Sequence, residues 1–520
     1  MNNTVLARSM LIYAICLPLA LILGYIITGL STSPQQDSTS YILFGLLLFV
    51  LMSPLLLRWY HAWLIVVLNM GMTIAFLPGY LPGWMPVACI AFGVAVGHYV
   101  LNRERKFLSV PAITYSLLFI GIVVLVTAKC RGGLAFRALG DETVGGKRYL
   151  YIFVAILGYF ALVSQRIPIE KANFYIVLFL FSGIGQAISD LGGYLGSGLG
   201  PLSLIFPSSM DPSRYQTVLM SHENLERFGG LGSACVAVAF TVVARYGIEG
   251  TLNIRKFWRP LVFFSAACLS FIGGFRGTVV MLVATMALVF CFEGLLRSRL
   301  MPVMLLGLML AGGLTVACAD RLPLPVQRCL ALLPVKIDPV ARMSAETSTK
   351  WRLEIWQSVL PQIPHYLLLG KGLTFDMNDM MEYLTFGNGQ VGGLVGGGFT
   401  LASDYHNGPL SLIIPFGIWG MIGFLWFLVA SIKVLWANYK YGDPDLKKIN
   451  SFLMAYFMTK TLYFFFIFGG FYGDLISFVA LIGFSVSLNG GMAKPALVTR
   501  PQFVPSRFRP LPIGRPATGI

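Results

Sequence analysis

Charge is what this chain has least of. Only 12% of its 520 residues are Asp, Glu, Lys or Arg, and just 22 are acidic. Soluble globular domains carry roughly a quarter, so an ordinary water-facing surface is excluded. Histidine is scarcer, at five positions, and the eight cysteines include no C-x-x-C pair. That spacing removes a structural zinc motif or a thioredoxin-like site. Cys16, Cys89, Cys235, Cys268, Cys291 and Cys318 fall in apolar runs, where a small buried residue is the ordinary reading. Cys130 and Cys329 fall in loops, where a bridge between them stays open. Period-2 alternation is missing too, and with it the mark of a membrane barrel. No internal repeat is evident.

Hydrophobicity fills the space that charge leaves. The chain is 56% hydrophobic, with mean hydropathy +0.75, and its apolar runs repeatedly reach the ~20 residues needed to cross a bilayer. A backbone in lipid must satisfy its own hydrogen bonds, so continuous runs of this kind predict helices. Runs fall near 10–30, 41–57, 62–78, 84–101, 109–128, 149–165, 174–188, 228–247, 260–275, 277–295, 300–318, 409–432, 451–468 and 473–489. The expected fold is an all-α polytopic integral membrane protein with about 12–14 transmembrane helices. The first run follows Arg8 without a small-residue cleavage site and reads as a retained helix. The pair flanking Arg276 is short enough for a re-entrant hairpin.

The formal charge of +16 would suit nucleic acid, but its distribution argues for topology. Of the 38 basic residues, 22 lie in alternate loops and the C-terminal tail, as the positive-inside rule requires of cytoplasmic segments. Five others at 129–148 run against it. Both termini are expected in the cytoplasm. The division that follows is 1–188, N-terminal helices; 189–227, an outer loop; 228–435, a central domain with a long outer loop at 319–408; 436–489, C-terminal helices; and 490–520, a basic, proline-rich, disordered tail. Within the long loop TSTKWRLEIWQSVL reads as an amphipathic helix, with Trp351, Ile355, Trp356 and Val359 on one face. Its tryptophans suit the outer headgroup layer, and Pro361 and Pro364 end it. The run GNGQVGGLVGGGF at 387–399 reads as a mobile loop.

Chemistry is expected at DYHNGPL, 404–410, where the long loop meets an apolar helix. Asn407 or Gly408 can cap that helix, with Pro409 in its first turn. His406 then sits at the positive end of a helix dipole, placed to serve as a general base, with Asp404 available to orient it. By position alone a surface-loop histidine is an equal reading. Three arginines bear on the choice. Arg227 stands in LERFGGLG, Arg276 in SFIGGFRGTVV between two apolar runs, and Arg352 on the amphipathic helix. A cation flanked by membrane segments is costly and ordinarily has a partner, and the guanidinium fork fits phosphate oxygens. A snorkelling residue in a tight turn is the plainer alternative for Arg276. Lys460 is expected to pair with Asp474 or snorkel, as a structural element. Asp443-Pro-Asp445 reads as a solvated turn, and Gly370-Lys371-Gly372 lacks the spacing of a phosphate loop.

RLEIW (352–356), IPHYLLLGKGLTF (363–375) and HNGPLSLIIPFGIWG (406–420), in that order, resemble the shared domain of bacterial O-antigen ligases and polymerases. That family also includes protein O-oligosaccharyltransferases. SFIGGFRGTVV and ERFGGLG are similar to its two arginine-glycine segments. The resemblance covers roughly 225–435. It implies a GT-C-like glycosyltransferase architecture in the bacterial inner membrane, with the active site facing the periplasm. The implied reaction moves a glycan from undecaprenyl diphosphate to an acceptor glycolipid or glycan, with neither metal nor nucleotide cofactor. His406 would be the base on the acceptor hydroxyl, Arg227, Arg276 and Arg352 ligands of the diphosphate, and Asp404 and Asn407 supports. Pro409 departs from the family's usual aromatic. Ligase is favoured over polymerase because eleven residues after Arg214, Arg342 and Arg352 stand Leu225, Leu353 and Ile363, not the glycine of some polymerases' paired repeats. A secondary transporter is the more distant reading; it would place ionisable groups near the midplane and show repeat symmetry.

Overall fold

The computed structural model describes residues 57–74, 81–101, 107–108, 110–132, 146–195, 205–206, 228–331, 333–373 and 405–495, with isolated positions before 57. The fold is all-α and polytopic. Among the described residues seven helices are long and apolar enough to cross a membrane, accompanied by three shorter apolar ones. In the first part of the chain stand α1 (Tyr60–Val67), α2 (Trp84–Leu101), α3 (Pro111–Arg131), α4 (Gly146–Leu162), α5 (Ala172–Phe181) and α6 (Gly185–Leu195). The middle holds α7 (Gly229–Thr251), α8 (Trp258–Ser270), α9 (Arg276–Phe292), α10 (Leu300–Ala317), α11 (Leu324–Leu330), α12 (Pro339–Val359) and α13 (Ile363–Tyr366). Three more close the bundle: α14 (Gly408–Tyr441), α15 (Lys447–Phe466) and α16 (Phe471–Asn489). The run at 10–30, most of 41–57, the glycine-rich loop and nearly all of the tail lie outside the described residues.

Two of the expected spans come out differently. The run at 62–78 is not one helix: α1 stops at Val67, Gly71 turns the chain at φ 70, and β1 (Thr73–Ile74) pairs antiparallel with β2 (Leu81–Pro82). Hydropathy does not register the glycine that permits this turn. In the run at 174–188 a 3-10 turn at Ser182–Ile184 intervenes, and helix continues to Leu195. That carries it into the stretch assigned to the outer loop, where buried Asp190 accepts a hydrogen bond from the Leu231 amide at 2.9 Å.

The core sits where α14, α15 and α16 meet. Phe424, Phe464 and Phe478 are fully buried there, with ring centroids 5.0 Å (Phe424–Phe464) and 5.5 Å (Phe424–Phe478) apart. Lipid tails are as apolar as these rings, so the gain comes from close packing rather than from leaving the solvent. Around this centre α3 packs on α14, α4 on α16, and α9 on α15.

One irregularity positions the N-terminal end of α14. The helix is broken at Gly417 (φ 65, ψ −165), just after Pro415. A break frees backbone groups, and in a membrane protein they must find partners. The segment after α13 supplies them: the Ile418 amide donates to the Leu367 carbonyl at 2.7 Å. The Lys371 amide donates to Ile414 at 2.7 Å and the Gly372 amide to Pro415 at 2.9 Å. Gly370-Lys371-Gly372 is therefore a plug for a broken helix. Gly370 has φ +74, and a Cβ there would lie 2.7 Å from the Phe416 amide nitrogen and 2.5 Å from the Pro415 carbonyl carbon. Gly370→Ala is expected to cost about 2 kcal/mol or more, from backbone strain and overpacking. Thermal unfolding of the detergent-solubilised protein checks this; an unchanged Tm would mean the plug does not hold the break.

Candidate active site

Arg276 opens α9. The turn before it needs Gly274, which is left-handed at φ 66. It also needs Gly273, pressed on Gly232 of α7 so closely that a Cβ on Gly232 would lie 3.0 Å from the Gly273 Cα. From this turn Arg276 Nη2 donates to the Ala345 carbonyl at 3.2 Å and to Thr349 Oγ1 at 3.1 Å. Both acceptors belong to α12. Ala345, Thr349, Arg352 and Trp356 recur at helical spacing and share one face of that helix. Arg276 therefore lies along the same rail as Arg352, near enough for their charges to oppose each other.

The rail leads to the histidine. Trp356 donates its indole N–H to the Tyr405 carbonyl at 2.9 Å, tying α12 to the residue before His406. From Thr349 to Trp356 the helix climbs about 10 Å. His406 has φ 50, the one positive value outside glycine among the described residues. Asn407 then caps α14, its side-chain oxygen accepting from the Leu410 amide at 3.1 Å, with Pro409 in the first turn. The capping role expected of Asn407 is met.

Between the ring and the guanidinium stands Phe468. Its ring meets His406 edge to face, with centroids 4.7 Å apart, and the Arg352 guanidinium lies 5.9 Å from its centroid. Phe468 belongs to the link between α15 and α16. Lys460 and Asp474 secure that link: they pair at 2.9 Å, as expected, and the second carboxylate oxygen accepts from the Gly470 amide at 3.0 Å. Ser411 of α14 adds a bond from the Phe471 amide at 3.0 Å.

Tyr463 completes the arrangement. Its hydroxyl lies so close over Gly277 that any Cβ there would collide with it, which puts the phenol against the first turn of α9. It also interacts with the charge of Arg352. Burial pulls the Arg352 pKa down and Tyr463 acts against that; a guanidinium remains cationic at neutral pH in either case. Arg352 Nε is buried and has no hydrogen-bond partner among the described residues. A buried donor in that state costs about 1–3 kcal/mol, more for a charged group. An anion bound between Arg276 and Arg352 would supply the acceptor.

Arg276 and Arg352 are brought onto one face of α12, and His406 and Asn407 are linked to that helix through Tyr405, while Arg227 and Asp404 lie outside the described residues. Sequence reasoning missed Tyr463 and Phe468. The first is three residues past Lys460 on the same helix, and the second is one aromatic among many. The amphipathic helix is longer than expected and ends at Val359 before Pro361 and Pro364. Its apolar face is covered by protein. Ile355 and Val359, each 1% exposed, pack on Tyr405, Leu410 and Ile414; sequence periodicity marks a face but not what covers it. Trp351 has no described side chain. The turn at Asp443 is exposed, as expected, with its carboxylate accepting from the Asp445 amide. Cys130 is an exposed free thiol, so no bridge joins it to Cys329. No group of three His, Cys, Asp or Glu side chains gathers among the described residues.

The bundle thus links two arginines, a tyrosine and a histidine through α12 and the connection between α15 and α16. Residues 261–425 match the family model described as O-antigen ligase, which bears out the resemblance drawn from the motifs and indicates a membrane glycosyltransferase-like enzyme. The match takes in Arg276, Arg352 and His406 and stops short of Tyr463 and Phe468. No curated protein matches the chain.

Proposed function

We propose that the protein transfers a glycan from undecaprenyl diphosphate to an acceptor hydroxyl at the outer face of the bacterial cytoplasmic membrane, as an O-antigen ligase. Both termini are then cytoplasmic and the end bearing His406 faces the periplasm. The observation that carries this reading is the α12 rail, which bears Arg352 with its unpartnered Nε, holds Arg276 through Ala345 and Thr349, and is tied by Trp356 to the residue before His406. Arg276 and Arg352, with Arg227 at the entry to α7, hold the diphosphate and the charge that develops on it as it leaves. Tyr463 adds a phenolic donor at the same point. His406 removes the proton from the attacking hydroxyl; attack opposite the leaving diphosphate inverts the anomeric carbon, as single displacements there do. Asp404 orients the ring.

Deletion in the native host, followed by profiling of lipopolysaccharide and lipid-linked glycans, tests the reading. A ligase leaves long chains accumulated on the carrier lipid and none on the acceptor. Accumulated single repeat units would make it a polymerase, and an unchanged profile of both would sink glycan transfer altogether.

A further inference from the structure

A third arginine sits behind this site. Arg328, on α11, is 3% exposed, so it cannot reach a substrate bound at the surface of the rail. Its contacts run to both elements that hold Arg276. Nη1 donates to the carbonyl of Gly274, the left-handed residue two positions before Arg276. Nε donates to Ser344 Oγ at 3.2 Å, next to Ala345, whose carbonyl Arg276 itself engages. One planar group thus spans the turn before α9 and the start of the α12 rail. Its neighbour Gln327, also 3% exposed, acts alongside: its amide nitrogen donates to the Leu322 carbonyl at 2.7 Å and its oxygen accepts from Asp338, the N-cap of α12, at 2.6 Å.

We infer that Arg328 is a positioning residue for the diphosphate site: by clamping Gly274 to Ser344 it fixes where the Arg276 guanidinium stands relative to Arg352. The inference rests on the reading of Arg276 as a diphosphate ligand. Burying a guanidinium is costly, and a cost of this kind is met here by a bridge between two elements that each contribute to one site. A lysine in its place keeps the charge but has a single point of attachment, and it cannot reproduce the fork that reaches both acceptors.

The test is a double-mutant cycle on the full-length protein in detergent, with undecaprenyl diphosphate bearing no glycan as the probe. Arg328→Lys is expected to weaken its Kd by roughly tenfold, because a small displacement of a positioned group is costly. Ser344→Ala, which removes the hydroxyl that Arg328 Nε engages, should weaken it by a smaller factor in the same direction. In an Arg276→Ala background both effects should vanish, since residues acting through one group are not additive. The Tm of each variant is read in parallel, and if Arg328→Lys fails to fold, Ser344→Ala decides. Losses that persist undiminished without Arg276, or an unchanged Kd in a folded Ser344→Ala variant, would overturn the inference. If Arg276→Ala alone leaves binding intact, it is the diphosphate reading that fails.

Discussion

Replacing His406 by asparagine is expected to reduce glycan transfer by about 10²–10⁴-fold, the usual contribution of a positioned general base. Asparagine is the informative choice because His406 holds φ 50. Asparagine tolerates that region of backbone space better than most residues, and alanine less well. The variant therefore keeps the entry into α14, and the Asn407 cap with it, while removing the proton acceptor. It gives up the edge-to-face contact with Phe468, worth about 0.5–1.5 kcal/mol. Transfer of glycan from carrier lipid to acceptor, followed in membranes of a complemented deletion strain, reads the effect against protein level. Full transfer by His406→Asn would place the base elsewhere.

The second large effect is expected at Arg276. Arg276→Ala should lower transfer by about 10²–10³-fold, in line with the loss of one preorganised group that stabilises developing charge. Arg276→Lys should recover only part of this. Lysine brings the charge, but a point charge on a flexible stem cannot bond to Ala345 and Thr349 and still present an edge to phosphate oxygens. A structural role alone predicts a different pattern: losing the ties to α12 would lower stability, with activity falling in proportion to folded protein. Specific activity per folded molecule, measured with size-exclusion chromatography of the same preparation, separates the two. Equal activity of Arg276→Lys and the parent would show that positive charge suffices and that the bidentate reading is wrong.

Much of the site was legible because its signals are local. The Asn407 cap, the end of α12 ahead of Pro361, and the pairing of Lys460 with Asp474 each follow from the needs of a helix end or a charge among apolar residues. The ring of Phe468 and the phenol of Tyr463 gave no such signal. Aromatics abound in this chain, and nothing in spacing distinguishes the two that face Arg352 from those that fill the core. Arg328 was invisible for a related reason: an arginine in a segment read as an outer loop counts as solvated until its burial is seen. The apolar face of α12 was found, but its partner was not. Periodicity identifies the stripe that must be covered, and either lipid or Leu410 and Ile414 would satisfy it.

What the sequence determined by itself is the class of molecule and the kind of chemistry. Runs of apolar residues must form helices because lipid offers backbone groups no alternative partner, and a histidine and arginines in that setting must be outside lipid or paired. Only the tertiary structure decided how those residues meet. The break at Gly417 is closed by a segment about fifty residues earlier in the chain. The two arginines lie on one face because a glycine turn, a buried guanidinium and α12 come together in space. Such contacts depend on which surfaces end up packed, and packing is a property of the whole bundle that no local pattern encodes.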